Sequence, residues 1–226
     1  MPSLHESARD EPAGLTTRTL IFGRAPVAGE AKTRLIPALG PAGAAALQEH
    51  LMADLLERLS EAPRARLELW AAPDASHPTF GDLARRHALS LHRQYGENLG
   101  QRLAHAARQG LTRADAVLLI GTDCPDLTAD YLEMARERLR WSHAVLGPAL
   151  DGGYVLLGFK RLSHHLFDGM PWGGDRVADL TRQRLRDLRW SWSELPALAD
   201  IDRPEDLVLL PPGLQPPWPV LAHAAD

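Results

Sequence analysis

The segment after the first apolar run combines small residues with three cationic ones. Residues 23–35 read GRAPVAGEAKTRL, so Arg24 lies near the start of the segment, and Lys32 and Arg34 follow Gly29 closely. Glycine lets a backbone approach phosphates, and the cations add positive charge at short range. The spacing differs from that of a Walker A loop, in which the lysine directly follows the second glycine. We predict that Arg24, Gly29, Lys32 and Arg34 bind phosphate; the alternative is an ordinary surface turn.

A carboxylate follows the most continuous apolar run of the chain. The run at 114–121 (ADAVLLIG) leads into Thr-Asp-Cys-Pro-Asp, which places Asp123 just after a predicted buried strand. A carboxylate in that position suits a hard divalent cation that is shared with substrate phosphates. Asp123 is therefore the candidate catalytic and metal-binding residue, and Asp126 could join it or cap the next helix. Cys124, the only cysteine, excludes an intrachain disulfide and is predicted to be a small buried residue.

A turn sequence and an acidic segment come later in the chain. Asp151, Gly152 and Gly153 read as a tight turn after another apolar run. If that run is a strand of the same sheet, the turn could contact the acceptor or the donor sugar, with Asp151 orienting the acceptor or acting as a base. Asp202, in the segment ADIDRPEDL, could complete a metal site or cap a short helix. Helix capping is the favoured role for two other acids of that segment, Glu205 and Asp206.

Three further residues each allow two interpretations. Asn98 could cap a helix or contact a nucleotide, and Arg102, one turn inside that helix, could reach the nucleotide as well. Trp172 precedes two glycines and a predicted helix whose N-terminus could face an anion. It is either part of a loop that contacts the acceptor or donor sugar, or an aromatic residue of the core.

The apolar patterns predict alternating strands and helices that would bring these segments together. We predict strands at 19–23, 67–71, 89–93, 114–121, 143–147, 154–159 and near 190, and helices at 41–61, 79–87, 98–109, 128–140 and 175–188. This order is typical of an α/β protein with a mostly parallel, twisted sheet and helices on both faces. Ligands of such sheets bind outside the carboxyl ends of the strands. The Asp-Gly-Gly turn also allows the strands at 143–147 and 154–159 to be antiparallel.

Length and composition limit the class of protein to which the chain can belong. The chain has 226 residues, of which 45% are hydrophobic and 24% charged. These values predict one globular domain at 18–210, with a loose tail at 1–17 and a proline-rich tail at 211–226. A net charge of −4 disfavours nucleic-acid binding. Neither an apolar stretch of ~18 residues nor a signal peptide is present, so we predict no membrane span and a cytoplasmic location.

In this order, the segments resemble a bacterial family of GT-A-type glycosyltransferases labelled as arsenosugar-biosynthesis-type. The resemblance runs from about residue 19 to residue 207 and is most specific at 22–35, 121–127 and 147–154. That family is similar to the 2-phospholactate and molybdenum-cofactor guanylyltransferases. It often has threonine or serine where Gly173 and Gly174 follow Trp172 in this chain.

The resemblance implies a Rossmann-like GT-A fold, the fold of nucleotide-diphospho-sugar transferases. It also implies a nucleotide or nucleotide-sugar donor and Mg²⁺ or Mn²⁺. Lys32 and Arg34 would hold the donor's phosphates, while Asp123, with Asp202 as a possible second ligand, would hold the metal. The predicted function is a metal-dependent glycosyltransferase that uses a nucleotide sugar and a small-molecule acceptor. The alternatives are a nucleotidyltransferase that uses an NTP and releases pyrophosphate, and a catalytically silent nucleotide-binding domain. We expect a monomer or a homodimer.

Overall fold

The computed structural model describes residues 14–60 and 66–216, in which strands and helices alternate as the sequence predicts. The strands are β1 (Thr17–Arg24), β2 (Arg66–Ala72), β3 (Ser90–Arg93), β4 (Ala116–Ile120), β5 (Ala144–Pro148), β6 (Tyr154–Phe159) and β7 (Trp192–Glu194). The helices are α1 (Ile36–Ser60), α2 (Pro78–Arg86), α3 (Leu99–Leu111), α4 (Ala129–Trp141) and α5 (Val177–Asp187). Helix α1 is interrupted at Gly40, and its regular part starts near the predicted first residue, Pro41.

Within these residues, the seven strands form one sheet in the order β3-β2-β1-β4-β6-β5-β7. All neighbouring pairs are parallel except the two that involve β6, which runs antiparallel to both β4 and β5. The Asp-Gly-Gly turn therefore does connect an antiparallel pair. The chain moves outward from β1 to β3 and then returns to β4 on the other side of β1. The carboxyl ends of β1 and β4 thus form the switch point at which such sheets bind ligands.

Helices cover both faces of the sheet, which confirms the predicted fold class. Alternating side chains of β1 enter different cores, because successive residues of a strand point to opposite faces. Ile21 packs with residues of α1, α2 and α4, whereas Leu20 packs with residues of α3 and α5. All residues of β4 are buried, as expected for a central strand covered on both sides.

The described part of the C-terminal region packs against the start of the chain's longest helix. Two 3₁₀ helices, Pro204–Leu209 and Pro212–Leu214, follow the last strand. Ile201, Leu210 and Leu214 are buried against Leu35 and residues of α1. Residues 1–13 and 217–226 of the two predicted tails lie outside the described residues, and Thr17, placed in the N-terminal tail by the sequence, begins β1. None of the helices in the described part of the chain has both the length and the apolar character needed to cross a membrane.

Candidate active site

The segment after β7 crosses the carboxyl ends of β5 and β4. Backbone hydrogen bonds of 3.0 and 3.1 Å join Leu198 to residues 148–150, just beyond β5. Farther along, the Ile201 N–H donates to the carbonyl of Asp123 at 2.9 Å, just beyond β4. The chain is therefore fixed across the sheet edge by main-chain contacts. Two acids are brought to Asp123 in this way, Asp200 and Asp202.

Lys32 connects three loops at this edge. Its ammonium donates to the Ile201 carbonyl at 2.5 Å and lies 2.8 Å from Asp123 Oδ1 and 3.9 Å from Asp202 Oδ1. The Lys32 side chain is only 3% exposed, and its backbone is left-handed with φ of 46°. A buried ammonium needs such partners, because burying an unpaired charge is costly. Lys32 thus faces the carboxylates that the sequence predicts as metal ligands, and it does not line the adjacent cavity.

Arg34 occupies a more open position on the same loop. Its guanidinium pairs with the second carboxylate oxygen of Asp202, and its side chain is half exposed and lines the cavity. The other two predicted phosphate ligands are farther out. Arg24 is exposed at the end of β1, and Gly29 is an exposed turn residue with φ of 86°. Of the four predicted phosphate ligands, Arg34 is therefore the one that faces the cavity.

Four aspartates line one end of the site: Asp123, Asp151, Asp200 and Asp202. Burial, and after it the nearby carboxylates of Asp151, Asp123 and Asp202, together raise the pKa of Asp200 to about 6. Lys32 and Arg34 balance only two of the four negative charges. Asp200 was not predicted as a site residue. Its position in the same acidic segment as Asp202 was the signal that could have identified it.

This arrangement fits a divalent cation that is shared with a ligand's phosphates. Asp123 and Asp202 supply hard oxygen donors, and a divalent cation would balance the two excess negative charges. Among the described residues, no three His, Cys, Asp or Glu side chains are grouped so that they could hold a metal by themselves. Mg²⁺ sites that include substrate phosphates generally use only one or two carboxylates, with the phosphates and waters as the other ligands.

The Asp-Gly-Gly turn is built tightly against the start of α5. Asp151 Oδ1 accepts a hydrogen bond from the Gly153 N–H at 2.7 Å, which closes the turn. Gly152 has φ of 92°, and a Cβ atom there would lie 1.9 Å from the carbonyl oxygen of Asp175. The Gly152 carbonyl in turn accepts from the Ala178 N–H at 2.9 Å. The turn is therefore structural, and it also holds Asp151 at the cavity.

Beside the carboxylates lies a cavity of about 340 Å³ on the sheet face covered by α3 and α5. Its wall is largely apolar and comes from three strands, two helices and the loop before α5. The apolar residues that line it are Phe22, Leu99, Leu103, Leu119, Ile120, Tyr154, Val155, Trp172 and Val177. The Trp172 ring lies edge-on to Tyr154, at 6.3 Å, and stacks on Phe167, at 6.5 Å. Trp172 thus packs against the core and also faces the cavity, and its predicted contact with an acceptor or donor sugar stays a prediction.

Asn98 and Arg102 are engaged in local hydrogen bonds. Asn98 Oδ1 accepts from the Gln101 N–H at 3.0 Å and so caps α3. Arg102 Nε donates to the carbonyl of Gly96 at 2.9 Å. Neither residue lines the cavity. Their predicted contact with a nucleotide stays a prediction.

Three further residues near the site, Asp206, Asp126 and Cys124, do not line the cavity. Asp206 Oδ2 accepts from the Asp202 N–H at 3.0 Å, which helps to fix the acidic segment. Thr128 is the N-cap of α4, so Asp126 does not cap that helix. Cys124 is buried, and burial raises the pKa of its thiol to about 11, in agreement with a small core residue.

One family model matches residues 55–174, which is more than half of the chain. The chain belongs to this family, DUF2064, described as uncharacterized protein conserved in bacteria. No curated protein matches the sequence. The resemblance to glycosyltransferases of the arsenosugar-biosynthesis type is more specific than this family description and stays a prediction.

Several solved structures share the fold. One comes from Desulfovibrio desulfuricans G20 and is provisionally described as a nucleotide-diphospho-sugar transferase. Its sequence is 32% identical to this one, and the match covers 84% of this chain and 83% of the Desulfovibrio chain, with a TM-score of 0.76. A nucleotidyl transferase from Methanothermobacter thermautotroptrophicus is 16% identical. The match covers 86% of this chain and 95% of that one, with a TM-score of 0.58.

Glucosyl-3-phosphoglycerate synthase from Mycobacterium tuberculosis also shares the fold. It is 12% identical, and the match covers 86% of this chain and 75% of the synthase, with a TM-score of 0.54. Its structure contains Mn²⁺, UDP and glucosyl-3-phosphoglycerate. The structural relatives are thus transferases of sugars or nucleotides, and the more distant ones show the fold alone.

Proposed function

We propose that the protein is a metal-dependent glycosyltransferase that takes its sugar from a nucleotide-sugar donor. The observation that carries the proposal is the meeting of Arg34, Asp123 and Asp202 at the switch point between β1 and β4. Cationic and carboxylate side chains at this place suit a diphosphate with its counterion. The relative from Desulfovibrio, provisionally a nucleotide-diphospho-sugar transferase, supports the same reaction class.

In this proposal the loop after β1 binds the donor's diphosphate. Arg34 contacts the phosphates, because its half-exposed guanidinium already faces the cavity. Asp123 and Asp202 would hold Mg²⁺ or Mn²⁺, which when bound neutralises charge on the leaving diphosphate. Lys32 acts through these two carboxylates: its buried ammonium holds them in place and lowers their mutual repulsion.

The acceptor reacts beside the Asp-Gly-Gly turn. Its hydroxyl oxygen forms a bond to the anomeric carbon of the donor sugar while the bond from that carbon to the phosphate oxygen breaks. The nucleoside diphosphate leaves, and the hydroxyl proton passes to Asp151, whose carboxylate faces the cavity. The turn that fixes Asp151 also limits its motion, and such positioning contributes to the rate.

A thermal-shift and product assay tests the proposal. The protein is mixed with UDP-glucose, GDP-mannose, CTP or GTP, each with and without Mn²⁺. A ligand at about 100 times its Kd adds about 2.7 kcal/mol, which corresponds to several degrees in Tm. We expect a Mn²⁺-dependent shift with a nucleotide sugar and slow release of its nucleoside diphosphate. Asp123→Asn should abolish the shift and lower product release by about 100-fold or more, whereas the exposed Asp126→Asn should change neither.

Two results would contradict glycosyl transfer. A shift with an intact NTP alone, together with pyrophosphate release, would identify a nucleotidyltransferase. A shift with a nucleotide but without release of any product would favour the catalytically silent nucleotide-binding domain. Equal loss in Asp123→Asn and Asp126→Asn would show that the metal assignment is wrong.

A further inference from the structure

The cavity divides into two chemically different ends. The four aspartates and Arg34 belong to loops beyond the strand ends, so they form its outer end. Phe22, Leu119 and Val155 belong to strands and form its inner wall. A phosphate or another anion is suited to the outer end, where Arg34 and a metal can balance its charge. The inner wall presents no charged side chain among the lining residues and would not compensate an anion.

The apolar wall is preformed and partly open. Gly100 of α3 lies so close to the loop before α5 that a Cβ atom there would be 2.7 Å from the Phe167 carbonyl oxygen and 3.3 Å from Trp172 Nε1. The indole of Trp172 is therefore held between α3 and the rings of Phe167 and Tyr154. Leu99, the first residue of α3, lines the same cavity and is 40% exposed. An uncovered apolar side chain on a rigid aromatic wall is typical of a ligand pocket.

The nucleobase of a donor is a poor match for this wall. Its polar edges need several hydrogen-bond partners when they are buried, whereas the side chains of this wall offer only the unpartnered Tyr154 hydroxyl and the Trp172 indole N–H. An apolar ring or chain has no such requirement. Its burial against these side chains is favourable in proportion to the apolar area removed from water.

We infer that the apolar inner part of the cavity is the acceptor subsite and that the acceptor is an uncharged alcohol with an apolar, ring-containing body. The inference rests on the proposed glycosyl transfer and specifies its second substrate. The apolar body lies against Trp172 and Leu99, and the hydroxyl points outward to Asp151. Trp172 and Leu99 are specificity-determining residues, because they favour an apolar body over a charged one without touching the reacting atoms.

Saturation-transfer NMR with benzyl alcohol as the probe tests the inference on the full-length protein. Benzyl phosphate and glycerol serve as the charged and the non-aromatic comparison compounds. We expect clear transfer to the benzyl alcohol ring and at least about fivefold less transfer to the two other compounds. Leu99→Glu should lower the ring signal by a similar factor. A glutamate in the first turn suits the helix N-terminus, so this variant should keep its fold.

Trp172→Ala should lower the signal at least as much, and Trp141→Ala is its matched control. Trp141 ends α4, is 81% exposed and lies outside the cavity, so its removal should change nothing. The ring signal should persist when UDP-glucose and Mn²⁺ are added, and also in Asp123→Asn, which tests the donor site separately. Absence of transfer in the unmodified protein, equal transfer in Leu99→Glu and Trp172→Ala, or displacement of the probe by the nucleotide sugar would each overturn the acceptor assignment.

Discussion

The two sides of the candidate site are held in place by different forces. On the charged side, one buried ammonium, that of Lys32, joins loops that lie far apart in sequence. On the apolar side, Gly100 lets α3 come into close contact with the loop before α5, and Gly152 in the neighbouring Asp-Gly-Gly turn lets the backbone contact the same loop. The charged side is therefore held together by the pairing of opposite charges. The apolar side is held together by close contacts that leave no room for a Cβ atom at these glycines. The two sides should therefore respond to different substitutions.

The largest effect is expected from an added methyl group in the Asp-Gly-Gly turn, where the backbone packs against the loop before α5. Gly152→Ala would place Cβ 1.9 Å from a backbone oxygen at a residue with φ of 92°. The clash and the backbone strain together should lower the free energy of unfolding by about 3–5 kcal/mol. Gly29→Ala on the charged side is the control. Gly29 has φ of 86° but no atom within 4 Å of the added Cβ, so the loss should be about 1 kcal/mol. Urea unfolding measures the free energy of unfolding of both variants. Equal decreases in the two would show that close contact is unimportant at Gly152.

Removing the central cation should have an intermediate effect. Lys32→Met leaves the Ile201 carbonyl without this donor and lets the Asp123 and Asp202 carboxylates repel each other. Because both carboxylates are partly exposed, we expect a loss of about 2 kcal/mol, less than for a fully buried pair. Lys160→Met, at the only other lysine and beyond the end of β6, is the matched control and should change stability little. If the two variants unfold at the same urea concentration, Lys32 does not hold the charged side together.

The smallest effect is a pH-dependent gain in stability from Asp200→Asn. The folded pKa of Asp200, about 6, lies above its usual value of 3.8, so folding disfavours the ionised form. The resulting penalty is absent at low pH, grows as pH rises from 3.8 through 6, and is complete above that range. Asparagine removes it, which should raise Tm at pH 8 by roughly 2–4 °C, or about 1 kcal/mol after allowance for solvent screening. The difference in Tm should shrink as pH falls towards 4. A gain that is the same at both pH values would show that charge repulsion is not its cause.

The sequence predicts the charged side better than the apolar side. Asp123 and Arg34 follow predicted parallel strands, and the carboxyl ends of such strands meet at one edge, so their proximity follows from local patterns. The burial of Lys32 does not, because its partner Ile201 is 169 residues away. Asp200 was missed for the same reason, since only the path of the last segment brings it to the other acids. The predicted metal and phosphate roles of these residues stay predictions.

Apart from Trp172, the apolar residues of the cavity wall could not be predicted from the sequence, because they have the pattern of ordinary core residues. Leu99 and Leu103 fit an amphipathic helix, and Phe22 fits a buried strand. Only the packing of α3 against the loop before α5 leaves a space between them. By contrast, the pattern of strands and helices and the antiparallel pair at β5 and β6 follow from local features of the sequence, and both are confirmed.

The path of residues 195–202 across the sheet edge also sets the order in which the site is completed during protein synthesis. All strands of the sheet leave the ribosome before this segment does. Until it arrives, Lys32 lacks the carbonyl of Ile201, and Asp123 lacks the neighbouring acid Asp202. In a nascent chain all the strands of the sheet are therefore synthesised before the full set of charged groups is present. Any ligand that requires both carboxylates can bind only after most of the chain has been translated.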